Sequence, residues 1–204
     1  MTVIDYKSSF YEVSNLDEAV KKILTPVGDV SPSQRWETET PVITEMLTQR
    51  LNPGLNESIL DYGCGIGRLA KELILRTGCH VIGIDISRSM RALSQIYCES
   101  DSFFSCSKKT LKALTDQGFH ANQAFSVWVL QHAENPKEDI DLIYDALESG
   151  GNFFVTNLEL RCLPTSTGWE NDGINIKELI ENRFEVVNYF PAPQDAAPKL
   201  DRLI

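Results

Sequence analysis

Three observations predict an α/β fold with a mostly parallel sheet covered by helices on both faces. From Ser58 onward, short apolar runs alternate regularly with amphipathic stretches. The runs are apolar almost without interruption, as strands buried on both faces must be. A glycine-rich turn joins the first run to the helix after it.

The elements follow in order. Asn15-Leu16-Asp17-Glu18 has the spacing of a capping box, and Leu16, Ala19, Val20, Ile23 and Leu24 form an apolar helical stripe that Pro26 and Gly28 end. A polar stretch, Ser31 to Arg35, leads to Trp36. A second helix is expected with Thr40 as N-cap and Pro41 at its first position, running through Leu51 to the break at Asn52-Pro53-Gly54. Ile59-Leu60 opens the first strand, and Ile66, Leu69, Ala70, Leu73 and Ile74 mark a helix closed by Gly78. Val81 to Ile84 is the second strand, followed by a helix carrying Met90, Leu93, Ile96 and Tyr97. Phe103-Phe104 marks the third strand, Leu111 and Leu114 the next helix, and Gln123 to Ser126 the fourth strand. Asn135-Pro136-Lys137-Glu138 starts a helix over Ile140, Ile143 and Leu147, stopped by Gly150-Gly151 before a fifth strand from Asn152 to Thr156. Phe184 to Tyr189 and Leu200 to Ile204 read as two further strands. The short proline-containing link between them suits an antiparallel pair, since a parallel return needs a crossover of about a dozen residues. Residues 1–54 are expected to form a helical cap or lid, and residues 55–204 the core, of one folding unit.

Composition narrows the functional classes. The chain has 204 residues, 42% hydrophobic and 24% charged, with a formal charge of −10. That charge repels phosphate backbones, so no nucleic-acid partner is expected. No apolar run approaches the roughly 18–20 residues of a membrane span, and Met1 to Asp5 lacks the layout of a secretion signal. A cytoplasmic location is expected. The five cysteines, Cys64, Cys79, Cys98, Cys106 and Cys162, have neither disulfide-framework nor zinc-site spacing, so reduced, packed thiols and no metal are expected.

The chemistry concentrates in Asp61-Tyr62-Gly63-Cys64-Gly65-Ile66-Gly67-Arg68, between the first strand and its helix. Glycines let this backbone turn tightly and approach a ligand that a Cβ would exclude, and the helix start behind it presents unpaired N–H groups. A dinucleotide loop would need glycine at position 68, where Arg68 stands, so a nicotinamide cofactor is disfavoured though not excluded. Asp85 ends the second strand, where a carboxylate can accept both hydroxyls of a ribose. Its alternative role is to cap the next helix, for which Ser87 is better suited. Two features at adjacent strand ends converge on an adenosine ligand.

The runs ILDYGCGIGRLAKELI (59–74) and VIGIDISRSM (81–90), with Val129-Leu130-Gln131-His132 and Gly150-Gly151, resemble the class I S-adenosylmethionine-dependent methyltransferases from about Ser58 to the C-terminus. The resemblance implies a Rossmann-like, doubly wound sheet of seven strands, the last antiparallel, and S-adenosylmethionine as cofactor. It also implies that Gly63, Gly65 and Gly67, with Cys64 among them, line the methionine half while Asp61 holds its amino group. Asp85 would take the ribose, Ile86 and Met90 would flank adenine or ribose, and Ser126 would offer backbone to the methionine portion. Two departures stand out. Ser105-Cys106-Ser107 replaces the acid that often meets the adenine amine, and Ala121-Asn122 replaces a frequent Phe-Asp.

Methyl transfer needs little covalent help, because the sulfonium carries an activated methyl and the enzyme mainly orients the acceptor and excludes water. No catalytic residue is essential on these grounds. His132 is the candidate base for a hydroxyl acceptor, its alternative role being to anchor the loop. Trp36, in a segment from Arg35 to Glu39 able to fold over the cofactor, and Trp169, in the segment 157–173, are the other candidate acceptor contacts. The expected activity is methylation of a small metabolite or sugar-like hydroxyl. The alternatives are a non-catalytic S-adenosylmethionine-binding sensor or partner subunit, and an NAD-dependent oxidoreductase.

Overall fold

The computed structural model describes residues 4–190. Helix α1, Leu16–Ile23, starts where Asn15 Oδ1 accepts the Glu18 N–H at 2.9 Å, and Glu18 reaches back one residue further than a capping box, to the Ser14 N–H at 2.8 Å. Helix α2 corrects the expected start at Thr40, because it runs from Pro32 to Leu51 with Pro41 inside it. The reason is a cap nine residues earlier. Ser31 Oγ accepts the Gln34 N–H and Gln34 Oε1 accepts the Ser31 N–H, with Pro32 suited to the first turn. One turn on, the Arg35 guanidinium lies buried against both Glu39 oxygens at 2.5 and 3.0 Å. The Thr40 hydroxyl bonds the Trp36 carbonyl instead of capping. Together these contacts offset the bond that an internal proline forfeits.

From Ser58 the chain alternates as expected: β1 (Ser58–Tyr62), α3 (Arg68–Thr77), β2 (His80–Ile84), α4 (Arg88–Cys98), β3 (Phe103–Cys106), α5 (Lys108–Asp116), β4 (Ala121–Val127), α6 (Pro136–Asp145) and β5 (Leu147–Thr156). The five strands form one parallel sheet in the order β3-β2-β1-β4-β5. Two apolar layers cover it. Leu47 of α2 and Leu73 of α3 share one with Ile59 and Phe125, while Leu111 of α5 and Ile140 and Ile143 of α6 share the other with Leu60 and Ala124. This is the doubly wound, mostly parallel fold that the sequence predicts. Chain reversal between β1 and β4, at the centre of the sheet, opens a crevice at their carboxyl ends.

Three boundaries differ from expectation. Helix α6 ends at Asp145 and β5 already begins at Leu147, so Gly150-Gly151 lie within the strand. Leu147 pairs with Ala121 and Asn152 with Gln123, and the residues between form an irregularity in the ladder. The main sheet holds five strands among the described residues, not seven, and Phe184 to Tyr189 forms no strand. That segment passes from one layer to the other: Phe184 packs on Tyr144 and Phe153, whereas Phe190 reaches Phe154, and Val187 between them is exposed. The companion strand expected at Leu200 to Ile204 lies outside the described residues. An antiparallel hairpin does form, but earlier, as β6 (Leu163–Thr165) and β7 (Gly168–Glu170), before a last helix α7, Ile176–Glu181. Among the described residues, no helix is long and apolar enough to cross a membrane.

Candidate cofactor and acceptor site

A cavity of about 790 Å³ opens at the carboxyl ends of β1, β2 and β4. Its floor is the β1–α3 turn. Gly63 and Gly65 have φ of +85° and +55°, which only glycine adopts without strain. A Cβ on Gly63 would come within 2.2 Å of Val129, and one on Gly65 within 2.7 Å of Ile23 from α1. The turn is pinned to β2, because the Gly63 and Cys64 N–H groups both donate to the Ile84 carbonyl, at 2.6 and 3.0 Å.

Asp85 joins the two strand ends. Its Oδ2 accepts the Gly65 N–H and its Oδ1 the Ser87 N–H, both at 2.8 Å, and each oxygen keeps a further lone pair. Burial raises its pKa, an effect that those two N–H groups oppose. Ser87 caps α4 through the Met90 N–H, as its spacing suggests. Ile86 and Met90 also line the cavity.

Other proposed contacts lie behind the wall. Asp61 is buried, its pKa raised well above the ordinary value first by burial and then by Asp85, with Arg68 opposing. Cys64 tucks its thiol under Gly83, and Gly67 caps α3 in a left-handed conformation against the Cys98 thiol. Ser126 is fully buried with its hydroxyl on the Tyr62 carbonyl at 3.0 Å. Trp36 turns away from the cavity, edge-on to Tyr97 at 5.8 Å.

Several wall residues carried no sequence signal. Arg68 is 4% exposed and lines the cavity, yet its Nη1 has no hydrogen-bond partner among the described residues. Burial lowers its pKa to about 10. Lys108 and Asp139, from α5 and α6, form a 2.6 Å pair on another part of the wall. Ser105, where an acid was missing, bonds Ser94 and Gln95 of α4.

Of the Arg35–Glu39 segment only Arg35 lines the cavity, whereas Tyr6, Phe10 and Tyr11 of the segment 5–12 do. The Lys7 N–H donates to the Pro164 carbonyl and the Ser166 hydroxyl to Asp5, tying this segment to the β6–β7 hairpin. At its other end Glu12 accepts the Ser89 hydroxyl, which holds its pKa down, with help from the Ser89 and Arg88 N–H groups that it also accepts at the start of α4. Phe10 stacks edge-on to Trp169 at 4.9 Å, and Trp169 lies 5.3 Å from the His132 ring.

His132 follows β4, and its Nδ1 lies 2.6 Å from the Cys162 carbonyl. A carbonyl only accepts, so Nδ1 carries the proton and Nε2 is the basic nitrogen. Burial lowers the imidazole pKa. The Cys162 N–H bonds the Gln131 carbonyl at 2.9 Å, and its neighbour Arg161 is anchored by a wholly buried guanidinium that bonds both Asp172 oxygens, at 3.0 and 2.9 Å, and the Leu130 carbonyl at 2.9 Å. Trp128 lines the cavity with φ +61°, a strained conformation for a bulky residue. Among the described residues, no group of three or more His, Cys, Asp or Glu is arranged to hold a metal.

A parallel sheet with a glycine turn after β1 and a carboxylate after β2 defines a nucleoside-binding α/β domain. A family model described as a methyltransferase domain matches residues 36–194. The chain belongs to the class I S-adenosylmethionine-dependent methyltransferases. It is 28% identical over 118 residues to the mitochondrial ubiquinone biosynthesis O-methyltransferase of Dictyostelium discoideum, over 52% of this chain and 36% of that protein. It is 33% identical over 104 residues to phosphoethanolamine N-methyltransferase 2 of Caenorhabditis elegans, over 49% of this chain and 23% of that protein. The chain thus spans about a third or less of the length of these relatives. Among solved structures, phosphoethanolamine N-methyltransferase 2 of Haemonchus contortus with phosphomonomethylethanolamine and S-adenosylhomocysteine shares the fold. Its TM-score is 0.52 at 20% identity, over 70% of this chain and 36% of that one.

Proposed function

We propose that this chain binds S-adenosylmethionine across the ends of β1 and β2 and methylates a hydroxyl of a small metabolite or sugar-like acceptor beside His132. The observation that carries the reading is the joined pair of Gly65 and Asp85 beside a buried, unpartnered Arg68 nitrogen. A glycine cradle, a carboxylate with spare lone pairs and an unsatisfied cation suit a ribose and a carboxylate in one ligand. Asp85 takes the ribose hydroxyls, Ile86 and Met90 flank the base, and Arg68 takes the methionine carboxylate, with Asp61 reaching its amino group through water. Asp139 supplies the carboxylate for the adenine amine that Ser105-Cys106-Ser107 lacks. Gly67, Cys64 and Ser126 support these groups from behind.

When bound, S-adenosylmethionine supplies a methyl activated on a sulfonium, whose bonding electrons return to sulfur on transfer. His132 Nε2 takes the proton from the attacking hydroxyl, and its lowered pKa keeps it unprotonated at neutral pH. Phe10, Tyr11 and Trp169 exclude water. The relative named as an O-methyltransferase supports oxygen as the acceptor atom. Residues 1–54 act as a cap over this site, and the five free cysteines fit a reducing, cytoplasmic location.

Titration calorimetry tests the reading. S-adenosylmethionine and its demethylated product should bind, NAD should not, and Asp85→Ala should abolish the binding. Equal binding by Asp85→Ala would remove the proposed cofactor site. A mass-shift screen of metabolite extract with labelled methyl donor then identifies the acceptor.

A further inference from the structure

Two buried polar atoms on the cavity wall near His132 lack partners among the described residues, the Tyr11 hydroxyl and Gln131 Oε1. Gln131 is 2% exposed, and its Nε2 lies 3.2 Å from His132 Nε2. Because Nδ1 of His132 carries the proton, this contact is a Gln131 N–H donated to Nε2, which fixes the carboxamide with Oε1 as the unused acceptor. The Tyr11 ring lies 6.4 Å from the His132 ring, and burial raises its pKa so far that it stays a neutral phenol, a donor. A free donor and a free acceptor therefore flank the same imidazole. Leaving both without partners is costly in a folded chain unless a ligand engages them.

The unpartnered atoms are neutral, and so is the chemistry they suit. Two cations stand near this end: Arg161 is committed to Asp172 and Leu130, and Lys22 rests over the Phe10 ring at 3.7 Å. Phe10, Trp128 and Trp169 contribute flat apolar faces to the cavity, which favour a ring over an open chain.

We infer that the acceptor is a ring bearing two adjacent hydroxyls, one presented to His132 Nε2 and its neighbour held between Tyr11 and Gln131. The inference rests on the transferase reading and narrows its acceptor. The neighbouring hydroxyl donates to Gln131 Oε1 and accepts from Tyr11, so both unsatisfied atoms are used. The reacting hydroxyl inserts into the long Gln131 contact, donating to Nε2 and accepting the Gln131 N–H. It loses its proton there as its oxygen forms the new bond to the methyl carbon. Tyr11 and Gln131 act as specificity residues that read the hydroxyl beside the reacting one.

The test uses the full chain with labelled methyl donor and two matched pairs of probes, catechol against phenol and myo-inositol against cyclohexanol. At least one diol should be methylated, with kcat/KM at least tenfold above its monohydroxy partner. Tyr11→Phe and Gln131→Leu, which delete only the polar function, should erase that preference about tenfold each. Both variants should bind S-adenosylmethionine as the parent does, and Tyr11→Phe, which removes an unsatisfied buried group and no hydrogen bond, should melt at or above the parent's temperature without ligand. Equal rates for diol and monohydroxy probes, or no turnover of any probe while the cofactor still binds, would overturn the inference and leave the transferase reading intact. A lowered melting temperature in Tyr11→Phe would make that hydroxyl structural and also overturn it. Loss of cofactor binding in the parent protein is the separate failure of the transferase reading.

Discussion

Removing Asp172 strands a cation. The Arg161 side chain has no exposed surface, and two of its three hydrogen bonds end on Asp172, which is itself 17% exposed. In Asp172→Ala the guanidinium keeps only the Leu130 carbonyl, and breaking a buried pair from one side costs about 3–5 kcal/mol. At about 2–4 °C per kcal/mol for a chain of this size, the melting temperature should fall by roughly 10 °C. Arg161→Met should cost less, about 1–3 kcal/mol, because the methionine fits an apolar space and the partly exposed Asp172 can turn to water. The double variant should be more stable than Asp172→Ala alone. Urea titration measures all three, with unchanged m values as the sign that only stability moved. The same proteins report on the site, since a loosened Arg161 frees the Cys162 carbonyl and NMR of the His132 ring nitrogens should show a mixture of tautomers. If Arg161→Met proves as costly as Asp172→Ala, or the double variant is as unstable as the two losses added, the stranded-charge reasoning is wrong. Arg161 also holds the Asp172 pKa below its usual value. The pair's contribution is therefore complete above about pH 4 and disappears as the pH falls through the lowered value.

Arg68→Met should weaken S-adenosylmethionine binding by about 10–100-fold in calorimetry, the worth of a charge-assisted hydrogen bond to a carboxylate; unchanged affinity would free Arg68 of that role. Trp128→Gly should be more stable than Trp128→Ala by about 1 kcal/mol in urea melts, since alanine keeps the left-handed strain that glycine relieves. Both should lose acceptor turnover while binding cofactor normally. With His132 depressed by burial and by Arg161, and flanked by the neutral Tyr11, kcat/KM should be flat above pH 7. Its acid limb should have a midpoint below the ordinary histidine value of about 6.5. His132→Gln should remove that limb, and an unaltered profile would dismiss His132 as the base.

The sheet and the glycine turn joined to Asp85 were legible in the sequence because their causes are local. Apolar periodicity separates β1 to β5 from their helices, the Asn15, Ser87 and Gly78 caps act within four residues, and Gly63, Gly65 and Asp85 mark strand ends by residue type alone. Local reasoning misjudged α2 because two start signals competed in one segment, and the Ser31–Gln34 cap with the buried Arg35–Glu39 pair outweighed the proline nine residues on. The His132 end of the cavity was decided by tertiary structure. Asp5 meets Ser166, Glu12 meets the start of α4, Arg161 meets Asp172, and Tyr11 meets His132 across separations that no period encodes. Nor could a sequence show that Arg68 Nη1, the Tyr11 hydroxyl and Gln131 Oε1 would be buried without partners among the described residues, since an unsatisfied atom is a property of everything packed around it.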